Sequence, residues 1–258
     1  MKYARFEYQG KSHYGIVEGD EIRELQGSIL ENHRETGVSY SAGDVNLLPP
    51  IAPTKIVCIG QNYLEHIKEI GATPPEEPLF FLKPPSSLIG PGEAIVYPRN
   101  ATRVDYEGEL AIVIKTKMKD VPELKAKEYV LGYSCFNDVT ERDLVAKSPF
   151  NLTLAKSFDT FSCFGPYIES DMDPDNVQVR TYLNGELKQN DNTRNCVFKV
   201  SRLLSYLSQC LTLFAGDIVI TGTPKGIAPM RPGDLVEVEV EGIGRLANRI
   251  VAQDAAFG

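Results

Sequence analysis

The segment 104–114, VDYEGELAIVI, sets three acids, Asp105, Glu107 and Glu109, directly ahead of a run that is apolar at every position. Successive side chains of an extended strand alternate faces, so acids two residues apart project from the same side. The run 110–114 suits a strand buried on both faces, which puts the acids at the rim of a core. Carboxylates gathered there repel one another and lose hydration unless a cation lies among them. Oxygen ligands of this kind suit Mg²⁺, Mn²⁺ or Ca²⁺ better than zinc. The competing reading is an edge strand whose acids face water, because E-x-E runs also occur on solvated sheet faces. What the rest of the chain places beside these acids decides between the two.

Lys+Arg of 27 against Asp+Glu of 35 gives a net charge of -8 over 258 residues, 42% of them hydrophobic. A chain of this size and composition buries a large core. Its charge argues against nucleic acid or an anionic membrane as a partner, since both call for clustered positive charge, and leaves room for a small acidic substrate. No apolar run approaches the ~18 residues needed to span a bilayer. The start, MKYARFEY, has no apolar signal core. Cys58, Cys135, Cys163, Cys196 and Cys210 lack C-x-x-C spacing and read as free thiols of a cytoplasmic protein, with Cys58 and Cys135 inside apolar runs.

Residues 1–50 read as a small β-rich domain, with strand-like pieces at 3–8, 14–17 and 21–25 between turn signals at 9–10 and 18–20. The proline-rich LLPPIAP at 47–53 cannot be helical and marks the boundary to a larger domain, 51–258. A buried strand is expected at 55–59, and two helical turns at 63–70 closed by Gly71. The polar, proline-laden loop TPPEEP at 73–78 follows, a pairing of helix and loop that suits a lid. A short helical piece is expected at 122–127 and a strand at 129–136. Val200, Leu203, Leu204, Leu207 and Leu211 fall on one face of a helix at 200–211. Strands are expected at 217–220, 235–240 and 245–251. Many strands and few helices imply a mostly β (α+β) fold with a rolled or barrel-like sheet.

Four further segments carry polar groups that chemistry could use. In NDVTERD, 137–143, Asp138 with Glu141 three residues on forms a serviceable capping box. Alternatively Asp138 is a third carboxylate beside Glu107 and Glu109, and Arg142 balances charge or grips a substrate carboxylate. His66 and Glu69 are an i,i+3 pair on one helical face, the arrangement of a carboxylate-oriented general base, though exposed His–Glu pairs are often inert. TGTPKG, 221–226, lacks Walker spacing; its backbone N–H groups and the Thr223 hydroxyl can hold a carboxylate, or it is a plain turn. AKSFDT offers Lys156 and Thr160.

The order of these segments is more specific than any one of them. GQNY at 60–63, HIKE at 66–69, FLKPP at 81–85, DYEGE at 105–109, NDVTERD at 137–143, KSFDT at 156–160 and TGTPKG at 221–226 together closely resemble the fumarylacetoacetate hydrolase family, over roughly residues 55–251. The resemblance implies a β-rich roll, a divalent cation that is usually Mg²⁺ or Mn²⁺, and a homodimer. By position, it implies Glu107, Glu109 and Asp138 as metal ligands and His66 with Glu69 as a dyad on a lid helix. Lys156, Arg142 and the Gly222–Thr223 loop then contact the substrate, and Asp105 supports the ligands without being one. The chain departs from many relatives at Val145, where they carry Gln, a position that bears on which substrate is held. The implied activity is metal-dependent hydrolysis of a C–C bond in an acylpyruvate- or fumarylpyruvate-like 2,4-dioxo acid through a metal-stabilised enolate. In it His66 activates water and Lys156 places that water or gives up a proton. Oxaloacetate decarboxylation and isomerisation of an unsaturated 2-oxo diacid are the alternatives within the family. A non-catalytic cation-binding β-module is the alternative outside it, and it would need neither His66–Glu69 nor Lys156.

Overall fold

The computed structural model describes residues 1–256. The chain opens with an antiparallel meander, β1 (Lys2–Tyr8), β2 (Lys11–Glu18), β3 (Glu21–Gln26) and β4 (Arg34–Ser41), and returns to β1 with β5 (Asn46–Leu48). Gln9 and Gly10, both at positive φ, make the tight turn between β1 and β2. β4 was not among the expected strands. Its residues are nearly all exposed and lack apolar alternation, so it exists through pairing with β3 and not through a buried face of its own.

There follow β6 (Ile56–Gly60), α1 (Leu64–Glu69), β7 (Leu79–Lys83), β8 (Leu88–Ile89), β9 (Ile95–Tyr97), β10 (Val104–Asp105) and β11 (Gly108–Ile114). A 3₁₀ turn, Glu123–Tyr129, leads to β12 (Val130–Asp138), β13 (Thr140–Glu141), α2 (Arg142–Lys147), α3 (Leu152–Lys156) and β14 (Ser162–Glu169). The last third holds β15 (Gln178–Leu183), β16 (Glu186–Asn192), α4 (Val200–Cys210), β17 (Ile218–Ile220), β18 (Pro229–Met230), β19 (Leu235–Val240) and β20 (Gly244–Ala252). The main sheet runs β4-β3-β2-β1-β14-β12-β11-β17-β6-β7, with β8 on β14. A second sheet, β16-β15-β19-β20-β9, lies against it. β1 pairs with β14 through Lys2↔Glu169 and Tyr3↔Ile168, so the first fifty residues extend the main sheet.

β11 is buried along its whole length, as the apolar run requires. Leu110, Ile112 and Ile114 pack with Val179, Val236, Val238 and Ile250 of the second sheet. Ala111 and Val113 face the other side, with Ile16, Phe136 and Phe164. α4 buries Val200, Leu203, Leu204 and Leu207, each full burial of a leucine contributing about 1.5–3 kcal/mol, and ends where Leu211 turns extended. No helix among the described residues is long and apolar enough to cross a membrane.

One local expectation needs correction, and one of the two alternatives at Asp138 falls away. The acidic strand is not continuous: β10 pairs with β13 and β18, and the chain leaves the ladder at Tyr106–Glu107 before β11 joins the main sheet. Asp138 does not cap a helix. It ends β12, and Glu141 is the N-cap of α2, accepting from Leu144 N at 2.7 Å.

Register explains why distant segments meet. β6 and β17 are parallel (Cys58↔Ile220), so the loops after them leave side by side. β11 runs antiparallel to β17 (Ala111↔Ile220), which brings its start to that edge. β12 runs antiparallel to β11 (Gly108↔Asn137), and β14 to β12 (Asp138↔Ser162), so the end of β12 and the start of β14 arrive there too.

Candidate active site

At that edge Glu107, Glu109 and Asp138 converge: all three are buried, and each offers an oxygen within 4.8 Å of the others. The backbone at Glu107 is pinned, its N–H donating to Asn137 Oδ1 at 2.9 Å and its carbonyl accepting from Asp138 N at 2.8 Å. Gly108, between the two glutamates, donates to Gln189 Oε1 at 2.9 Å and leaves no space for a Cβ, which would overlap Thr181 Oγ1.

Cations hold two of the three carboxylates. Lys156, the last residue of α3, reaches Glu107 Oε2 and Asp138 Oδ2, both at 2.6 Å. Arg142 donates to Glu107 Oε1 and, through Nε at 3.0 Å, to Asp105 Oδ2. Arg103 takes both oxygens of Asp105, so Asp105 orients guanidinium groups and stays out of the cluster. Burial disfavours the charged form of Glu107, but Lys156 and Arg142 outweigh it and bring its carboxyl down to about 2. Burial likewise disfavours the charged ammonium of Lys156, and the adjoining Asp138 and Glu107 reverse this, raising its pKa and keeping it protonated.

Glu109 differs. At 2% exposure it has no cationic partner among the described residues and accepts a single hydrogen bond, from Gly222 N at 2.6 Å. Burial, then the charges of Asp138 and Glu107, push its pKa well up. A buried carboxylate beside two others is relieved by a cation held among them, and an all-oxygen donor set is that of a hard divalent ion. The residues present therefore fit a hard divalent cation of the Mg²⁺, Mn²⁺ or Ca²⁺ kind.

The dyad residues meet as their spacing implies. α1 follows β6 directly, is closed by Gly71 at φ 69, and sets His66 Nδ1 2.8 Å from Glu69 Oε2. The other oxygen of Glu69 accepts from Gly226 N at 2.9 Å. The loop 221–226 thus touches Glu109 at one end and the His66–Glu69 pair at the other. Thr223 donates to Gly108 O at 3.0 Å and accepts from Gln189 Nε2 at 2.8 Å, so its hydroxyl is engaged within the protein. Gly222 N does hold a carboxylate, but one belonging to the chain itself. Thr160 lies apart, accepting from Val96 N.

Three supporting residues carry no role in the sequence reading, although Lys83 and Asn62 lie within its FLKPP and GQNY motifs. Lys83 is fully buried and donates to Asp138 Oδ1 at 2.5 Å and to Phe161 O at 2.6 Å. A lysine closing the apolar run LFFLK was a usable signal, because a buried ammonium demands an anion. Gln189 satisfies Gly108 N, Thr181, Thr223 and Pro224 O together. Asn62 ties the loop after β6 to Thr221 O and Phe198. Nothing in the polar hairpin around Gln189 sets it apart from its neighbours.

Comparison with known proteins agrees with this architecture. The family model described as fumarylacetoacetate (FAA) hydrolase C-terminal matches residues 55–251, and one described as Rv2993c-like, N-terminal matches residues 1–50. The crystal structure of 5-carboxymethyl-2-hydroxymuconate delta-isomerase from Mycobacterium smegmatis superposes with a TM-score of 0.92 at 39% identity, covering 98% of this chain and 100% of that one. The 4-hydroxyphenylacetate degradation bifunctional isomerase/decarboxylase of Salmonella dublin is 37% identical over 243 residues, 92% of this chain and 57% of that protein. Maleylpyruvate hydrolase from Sphingobium sp. SYK-6, solved with manganese (II) ion and pyruvate, is 28% identical with a TM-score of 0.81, covering 98% and 99% of the two chains. The chain belongs to the fumarylacetoacetate hydrolase family.

Proposed function

We propose that this chain is a Mg²⁺- or Mn²⁺-dependent hydrolase of acylpyruvate-like 2,4-dioxo acids, releasing pyruvate or a similar 2-oxo acid. The observation that carries the reading is the loop 221–226, which joins the carboxylate cluster to the His66–Glu69 pair through Gly222 N and Gly226 N. A manganese- and pyruvate-bound relative supports the cation and the product class.

Glu107, Glu109 and Asp138 would hold the cation. Once bound, it would supply Lewis acidity to the 2-oxo acid end of the substrate. Donation of Nδ1–H to Glu69 leaves Nε2 of His66 free to take a proton from water, whose oxygen attacks the distal carbonyl. The C–C bond then breaks, with its electron pair passing to the pyruvate fragment, which is protonated afterwards. Lys156 stays charged between two carboxylates, so its part is to donate hydrogen bonds and keep Glu107 and Asp138 spaced, not to give up a proton. Arg142 is partly exposed and keeps donors to offer a substrate carboxylate.

Isomerisation or decarboxylation of a 2-oxo diacid is the second reading, favoured by the relatives from Salmonella dublin and Mycobacterium smegmatis. Neither reaction needs a nucleophilic water. The test is metal-stripped protein reloaded with Mg²⁺ or Mn²⁺ and offered acylpyruvates, fumarylpyruvate, oxaloacetate and unsaturated 2-oxo diacids, with pyruvate and CO₂ both measured. Pyruvate from acylpyruvates supports hydrolysis. CO₂ from oxaloacetate without acylpyruvate cleavage moves the assignment to the second reading.

A further inference from the structure

The three carboxylates differ from free ones in how much of their ligating capacity the protein has already used. Glu107 Oε1 accepts from Arg142, and its Oε2 from Lys156. Asp138 Oδ1 accepts from Lys83 at 2.5 Å, and its Oδ2 from Lys156 at 2.6 Å. Glu109 Oε2 accepts from Gly222 N, and Glu109 Oε1 carries no hydrogen bond from the described residues. Four of these five bonds come from charged groups, and such bonds withdraw electron density from the oxygen and set a positive charge beside it.

Lys83 is the most deeply buried of these charged donors. Its side chain is fully buried at the end of β7, and its ammonium is shared between Asp138 Oδ1 and the Phe161 carbonyl. A cation gripping both oxygens of Asp138 would approach this buried ammonium as well as Lys156. Gripping both oxygens of Glu107 would bring it against Arg142 and Lys156. One-oxygen ligation meets one of these cations at each carboxylate in place of two. With Glu109 Oε2 engaged by Gly222 N and only its Oε1 on offer, the protein gives three oxygens in all, the other positions being left to water and substrate.

That supply suits some cations better than others. Mg²⁺ and Mn²⁺ accept six single oxygens, several of them waters, whereas Ca²⁺ favours six to eight and commonly recruits carboxylates through both oxygens. We propose that Lys83, backed by Arg142 and Lys156, confines Asp138 and Glu107 to one-oxygen ligation, so that the site selects Mg²⁺ or Mn²⁺ over Ca²⁺. Lys83 is in this sense a positioning residue that acts through Asp138. The inference rests on the cation site of the proposed function.

The test is calorimetric titration of the metal-stripped full chain with MnCl₂, MgCl₂ and CaCl₂ in the absence of substrate. The parent should bind Mn²⁺ at least about tenfold more tightly than Ca²⁺. Lys83→Met keeps the side-chain volume and frees Asp138 Oδ1, and should lower the Mn²⁺/Ca²⁺ affinity ratio at least about fivefold. A purely structural role would weaken all three cations alike and leave the ratio where it was. Arg142→Met frees Glu107 Oε1 from a more exposed position, should move the ratio the same way, and serves if Lys83→Met does not fold. Equal parental affinities for Mn²⁺ and Ca²⁺, or an unchanged ratio in both variants, overturn the selectivity inference and leave the cation site standing. A parent that binds none of the three removes the site itself, and the inference with it.

Discussion

Gly108→Ala tests whether the two glutamates depend on the close approach of the hairpin β15–β16. The added methyl would overlap Thr181 Oγ1 and come within 3.3 Å of both Gln189 Oε1 and Val238 Cγ1, all buried and packed. Overpacking of this kind costs about 1–3 kcal/mol. Relief by moving Thr181 and Gln189 breaks the Thr181–Gln189 bond at 2.7 Å and the Gly108–Gln189 bond at 2.9 Å, each worth about 1 kcal/mol net. The expected loss is therefore about 3–5 kcal/mol, and at about 2–4 °C per kcal/mol for a chain of this length Tm should fall by roughly 6–20 °C. Gly60→Ala is the control, because nothing lies within 4 Å of its Cβ, and it should stay within about 1 kcal/mol of the parent. Thr181→Ala removes the atom that is struck, so Gly108→Ala with Thr181→Ala should lose at least about 1.5 kcal/mol less than the two single losses summed. Urea titration of the parent and the four variants gives the free energies, and thermal melts of the same proteins give the Tm shift. A Gly108→Ala protein within 1 kcal/mol of the parent, or strictly additive losses, would refute the close-packing argument.

What the sequence made legible was whatever a residue's own neighbours determine. β11 could be read because every residue from 110 to 114 is apolar and both of its faces are in fact covered. The His66–Glu69 pair and α4 follow from helical spacing, which fixes the face without reference to the rest of the chain. The carboxylate cluster was only half legible: alternation brought Glu107 and Glu109 together, but Asp138 joined them through the order of motifs and not through any local rule. β4 stayed hidden because an exposed edge strand needs no apolar period. The interruption at Tyr106–Glu107 stayed hidden because partners from β13 and β18 cause it. Gln189 and Asn62 act across 81 and 159 residues of chain, on Gly108 and Thr221 respectively, and composition near them carries no trace of those partners.

Three further expectations follow from the site and the fold. Glu107→Gln keeps the side chain's shape but removes a charge from the cluster, so metal affinity and turnover should collapse together. Calorimetry showing parental Mg²⁺ or Mn²⁺ binding in this variant would remove Glu107 from the ligand set. The family relationship leads us to expect a homodimer with an isologous interface, and light scattering that reports a clean monomer at micromolar concentration would count against it. His66→Ala separates the two catalytic readings. General-base assistance is typically worth ~10²–10⁴-fold, so hydrolysis of an acylpyruvate should fall by about that factor, because the substitution removes the group that takes the proton from water. Any decarboxylation of oxaloacetate should fall far less, since it needs no such proton transfer and its charge development is met by the ion that Glu107, Glu109 and Asp138 would hold. Equal loss of kcat on both substrates would mean that His66 closes α1 over the site or positions the substrate, and the water-activating role would then have to be sought in another residue.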